Sequence, residues 1–133
     1  MSAETIVAAL LNTPGVTTVV GNRRALTQLP QNAPLPALIY QVVSTNPDRT
    51  VGLNAAAGSQ LLMSRVQVTG LAADPGSVQT ILAAAVIALN FKSGMYAGQK
   101  VALIVRDLAT ALLHDSEAGL WYASQDFLMN WWE

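Results

Sequence analysis

Leu29-Pro30-Gln31-Asn32-Ala33-Pro34-Leu35-Pro36-Ala37-Leu38-Ile39-Tyr40-Gln41-Val42-Val43-Ser44 is the stretch that decides the fold. Pro30, Pro34 and Pro36 withhold backbone donors and restrict φ, which favours an extended lead-in without a ladder partner. From Ala37 the run turns apolar, β-branched and aromatic, so a strand is predicted over Ala37 to Thr45.

Upstream of the prolines, Ser2 to Asn12 reads as a helix. Ser2 can cap it, Glu4 suits the first turn, and Ile6, Val7, Leu10 and Leu11 share one face. Asn12, Pro14 and Gly15 stop it. Val16 to Val20 adds a helical turn before Gly21, and Arg23 to Leu29 is a strand candidate leading into the prolines.

Downstream, Asn46 to Ser59 reads as a loop. Asn46-Pro47-Asp48 is turn chemistry, and Gly52, Asn54 and Gly58 break any period. At about 14 residues it exceeds an ordinary connection, which marks it for function. Gln60 to Ala72 is a long strand, with Leu62, Val66 and Val68 inward and Arg65, Gln67 and Thr69 outward. Asp74-Pro75 opens a helix to Phe91: a capping Asp precedes proline at the first helical position. Val78, Ile81, Leu82, Ala85, Val86 and Leu89 form its buried stripe. Gly94 and Gly98 mark a loop, and Lys100 to Leu108 alternates as a strand. His114 to Gly119 is polar turn material. Gly119 to Trp132 is a final strand with Trp121, Ala123, Phe127, Met129 and Trp131 in phase.

Helices and strands do not alternate regularly enough for a doubly wound parallel sheet. The expected fold is α+β: one domain, residues 1–133, with an antiparallel sheet of about four strands and two helices packed on one face. The other face then needs cover. Apolar residues make up 52% of the chain and charged residues 11%, against about 25% charged in typical soluble domains. Surface so poor in charge points to a neighbouring subunit as that cover.

Composition also excludes functions. A net charge of -1 from seven basic and eight acidic residues gives no nucleic-acid footprint. Without cysteine there is no disulfide framework, thiol catalysis or Cys-ligated metal. The start lacks the basic residues of a secretory signal. The most apolar run, Val78 to Phe91, falls short of the roughly 20 residues a bilayer span needs.

A search for chemistry returns structural readings. His114, the one histidine, lies in a turn beside Asp115 and Glu117, with no nucleophile-elbow motif and no spacing that presets a metal geometry. Asp74 is a cap. Asp107 and Asp126 fall in adjacent strands, where each can face Arg65 or Arg106 as a structural pair. Gly94 to Gly98 leads into a strand rather than the helix a phosphate loop requires. Trp121, Tyr122, Phe127, Trp131 and Trp132 lack an accompanying basic groove, so core and interface packing is their better reading. No catalytic residue, cofactor or metal is expected.

Four features together resemble the tail-completion, or tail terminator, family of tailed bacteriophages. They are the short apolar helix ending Asn12-Thr13-Pro14-Gly15-Val16; Leu29-Pro30-Gln31 with Pro34-Leu35-Pro36-Ala37-Leu38-Ile39-Tyr40; Ser64-Arg65-Val66-Gln67-Val68 leading through Ala72-Ala73-Asp74 into a helix; and the closing Gly119-Leu120-Trp121-Tyr122-Ala123-Ser124-Gln125-Asp126-Phe127. The aromatic, acid-ended Asn130-Trp131-Trp132-Glu133 departs from the family pattern. The resemblance implies a non-enzymatic virion protein, assembled in the host cytoplasm and sited at the head-proximal end of the tail. It implies a homo-oligomeric ring, usually of six, that caps the tail tube, halts its polymerisation and meets the head-tail connector protein. DNA would pass its lumen only as cargo, and no membrane is involved.

Within that frame Trp121, Phe127, Trp131 and Trp132 are the expected subunit interface. Asn46, Asp48, Arg49 and Asn54 are the expected contact loop for the tail tube protein or connector. The rival readings are a small oligomeric α+β enzyme or ligand-binding domain with an inter-subunit site, or another head-tail connector component.

Overall fold

The computed structural model describes residues 3–21, 23–26, 35–47 and 61–132. The expected cap Ser2, the prolines Pro30 and Pro34, and residues 48–59 of the expected loop lie outside them. In chain order the elements are α1 (Ala3–Leu11), α2 (Pro14–Val20), β1 (Arg24–Leu26), β2 (Ala37–Pro47), β3 (Leu61–Ala72), α3 (Pro75–Leu89), β4 (Gly94–Tyr96), β5 (Gln99–Ala109), β6 (Leu113–Asp115) and β7 (Leu120–Trp132).

The chain is α+β, but the sheet is larger and more mixed than expected. Among the described residues it has seven strands in the order β1-β2-β3-β7-β5-β4, with β6 pairing β7. β1 runs parallel to β2, and the remaining pairs are antiparallel. β2, β3, β7 and β5 form its middle. Three short strands extend it: β1 and β4 at the edges and β6 beside the start of β7. The described residues also hold three helices rather than two. Pro14 does not merely end α1. It occupies the first position of α2, where its missing N–H would have had no partner anyway.

α3 joins β3 to the β4–β5 hairpin. Asp74 caps it, accepting from the Ser77 backbone N–H at 3.0 Å and from the Ser77 hydroxyl at 2.8 Å. It lies so close to β3 that a Cβ on Gly70 would sit 3.1 Å from Cγ2 of Ile81. The hairpin turns through Ala97 (φ 52°) and Gly98 (φ 78°), both left-handed as a two-residue hairpin of this hand requires.

All three helices share one core with one face of the sheet. Ile6, Val7 and Leu11 come from α1, Val16 and Val20 from α2, and Val78, Ile81 and Leu89 from α3. From the sheet come Val66, Val68, Ile104, Phe127, Met129 and Trp131. The predicted stripe of α3 is shifted slightly: Ala88 is buried, whereas Leu82 and Val86 are half-buried. The polar side chains of this face are satisfied. Ser64 accepts from the Trp131 indole at 2.9 Å and shares a 2.8 Å bond with the Thr45 hydroxyl. Gln125 donates to the carbonyls of Asp107, Leu108 and Asp126, which supports β5 where its register shifts.

Candidate functional site

No helix among the described residues covers the opposite face of the sheet. Strict alternation decides what stands there. β3 and β7 pair in register from Leu61↔Trp132 to Ala72↔Trp121, so the residues between the core positions all project outward together. Its centre is polar. Gln41 donates to Gln67 at 3.1 Å, and Thr69 and Ser124 share a 2.8 Å hydroxyl pair. Next to the Gln67 pair on β3, Arg65 Nη1 donates to Asp107 Oδ2 at 2.6 Å and to Asp126 Oδ2 at 3.4 Å. The hydrogen bond to Asp107 is the largest effect raising the Arg65 pKa, followed by the attraction of that carboxylate and by Asp126, against partial desolvation. Arg65 is the partner of both acids, and Arg106 takes neither.

Two features make this face unfinished in the single subunit. Asp126 is only 8% exposed, and its Oδ1 is buried with no hydrogen-bond partner among the described residues. A buried carboxylate oxygen left without a donor carries a desolvation cost that a covering molecule can relieve. The polar centre is also flanked by apolar side chains: Met63 and Leu103 are exposed, and Leu128 and Trp132 are half-buried. The cluster of one guanidinium and two carboxylates is acidic by one charge.

The four aromatics expected at an interface part company. Phe127 is fully buried and Trp131 is 4% exposed, both in the subunit's own core. That corrects their placement: the β7 register turns them toward the helices, so they have no surface left to offer. Trp132 faces outward, half-buried beside Leu61. Trp121 is half-buried at the far end of β7, with its ring 4.4 Å from that of His114 and tilted by 33°. His114 lies in β6 rather than in the turn. Asn46 is exposed in β2 opposite Met63, not in a loop. Asp48, Arg49 and Asn54 are outside the described residues.

A second surface lies at the other end of α3. A groove of about 330 Å³ runs between α1, α3 and β4, with Leu10, Ala84, Ile87, Lys92 and Tyr96 among its walls. Ile87 is 75% exposed and Phe91 73%. The apolar pattern runs on through Phe91, so periodicity alone places it in the helix. The one available signal is that Asn90-Phe91 ends a helix with no glycine, where a left-handed residue is common.

A family model described as tail completion protein gp17 matches residues 4–129. No curated protein matches the chain in a sequence search. Among solved structures, a chain of the virion of a native gene transfer agent particle aligns with a TM-score of 0.68. The alignment covers 98% of this chain and 97% of that one at 12% identity. At that identity the likeness speaks for the fold.

Proposed function

The chain belongs to the tail completion protein gp17 family, which gives it a structural role in a phage tail, and from that premise we propose that it forms a ring of six that caps the tail tube. The ring ends tube polymerisation and joins the tail to the head connector at the head-proximal end. Its mechanism is geometric: one ring face matches the last ring of the tube, and the other does not support further addition. DNA crosses the lumen as cargo.

The observation that carries this reading is the open sheet face with the unsatisfied Asp126 oxygen and its apolar surround. A surface of that kind calls for a protein cover, and copies of the same chain are the cover most readily to hand during tail assembly. The structural likeness to a chain of a gene transfer agent virion fits the same setting. Trp132 and Trp121 are the aromatic contacts of the ring under this reading. Asn46, Asp48, Arg49 and Asn54 supply the contact with tube or connector, with Arg49 setting the docking register against an acidic surface.

Electron microscopy of particles lacking the protein tests it. Tails of uncontrolled length, or tails that fail to join heads, are the expected outcome. Tails of normal length joined to heads would remove both the capping and the joining role.

A further inference from the structure

The chain carries a second unfinished surface whose charge is opposite to the first. At the α3 end, Ile87 and Phe91 expose their side chains, and Phe91 does so from a left-handed backbone, φ 61°. A bulky residue in that region is an outlier, and local strain of this kind concentrates at functional positions. Phe91 therefore combines a left-handed backbone, held by its N–H donating to the Ile104 carbonyl at 2.7 Å, with a phenyl ring left exposed. The cations beside it are also unpaired. Lys92 lines the groove and Arg106 is exposed on the helix side of β5, and neither has a carboxylate within ion-pair distance among the described residues. Asn90, next to Phe91, accepts from the Arg106 backbone N–H at 3.0 Å, which ties this end of α3 to the edge of β5.

We propose that the open sheet face of one copy is covered by the α3 end of the next. Ile87 and Phe91 are the apolar anchors, and Lys92 and Arg106 face the Asp107–Asp126 carboxylates. The proposal rests on the ring reading and specifies its contact. The two patches lie on opposite faces of the sheet, so the contact is heterologous: each copy offers one patch to each neighbour. Contacts of that type generate rings when the rotation closes. Charge complementarity chooses the second copy as occupant. The receiving face is acidic by one charge and holds an unsatisfied carboxylate oxygen, while the presenting end holds two free cations amid apolar surface. Such pairing fixes register as well as adding affinity.

Sedimentation across micromolar to millimolar concentration, with thermal melts of each variant, tests this. Glycine adopts φ 61° without strain. Phe91→Gly is therefore expected to melt no lower than the parent while self-association weakens by roughly thirty-fold, the scale of a lost anchor. Lys92→Glu combined with Arg106→Glu is expected to weaken it by about ten-fold or more, with a smaller penalty in an Asp107→Asn background. Glu117→Lys, in the exposed turn at the far end of β7, is expected to change nothing. Unaltered assembly of Phe91→Gly, or a fall in its melting temperature without loss of assembly, overturns this pairing and leaves the ring reading standing. A parent chain that stays monomeric throughout overturns the ring reading itself.

Discussion

Trp131 and Trp132 are neighbours in one strand and live in different environments. Trp131 points toward the helices, is 4% exposed and gives its indole N–H to Ser64. Trp132 points the other way, half-buried on a face that no described element covers. The same contrast holds across the whole sheet. On the helix-covered face the polar groups of Ser64 and Gln125 find partners inside the subunit. On the open face a carboxylate oxygen does not. Residue type therefore says little about role here; strand parity says most of it. The buried polar groups of one face are paired within the chain, and on the other a buried carboxylate oxygen has no donor among the described residues.

Perturbing the closed face should produce the largest loss of stability. Trp131→Ala removes a buried indole and leaves Ser64 only its Thr45 hydroxyl partner. It is expected to destabilise the subunit by about 3–5 kcal/mol. Trp131→Phe keeps most of the volume and loses the bond, so about 1–2 kcal/mol is expected. Denaturant unfolding measures both. If Trp131→Ala left the unfolding midpoint in place, the assignment of β7 parity would be wrong.

α3 offers a finer contrast, between Ile81 and Leu82. Ile81 is buried against Gly70, and Leu82 is only half-buried. Ile81→Ala should cost about 2–5 kcal/mol, with Leu82→Ala clearly less. Gly70→Ala approaches the same contact from the other side. Its new methyl would need Ile81 to give way by a few tenths of an ångström, and about 1–3 kcal/mol of overpacking is expected. Equal melting temperatures for Ile81→Ala and Leu82→Ala would place the buried stripe elsewhere.

Much of this was legible in the sequence. The four long strands and α3 announce themselves by parity, by the Asp74-Pro75 start and by the apolar stripe. Their limits hold to within a few residues. The pairing of Asp107 and Asp126 with a cation follows from adjacent strands. Two of the short strands were not legible. β4 and β6 have three residues each, too few for a period; β4 takes the open edge of β5, and β6 takes the start of β7 where pairing with β5 has ended. β1 is parallel to β2, an arrangement that depends on the path of the intervening chain rather than on its composition. α2 was legible only as a helical turn over Val16 to Val20; its start at Pro14 was not, because proline reads as a stop signal in one helix and as a start in the next. The aromatic cluster misled for a different reason. Interface and core both favour aromatics, so Phe127 and Trp131 could not be told from Trp132 without knowing which face the helices cover.

The smallest effect on stability, and the one that bears most directly on the open face, belongs to Trp132→Ala. The side chain is half-buried in the free subunit, so its truncation removes limited contact there. A loss of about 1 kcal/mol or less is expected, since only part of its apolar surface is withdrawn from water. Under the proposed ring contact the same side chain would lie under a neighbouring copy. Aromatic anchors in such positions commonly cost about 2 kcal/mol or more when truncated, so self-association should weaken by roughly thirty-fold. Trp132→Ala should thus invert the ranking set by Trp131→Ala: small in unfolding, large in sedimentation. If both experiments show only small changes, the open face is not where subunits meet at this end of β7, and the contact must be sought around Trp121 instead.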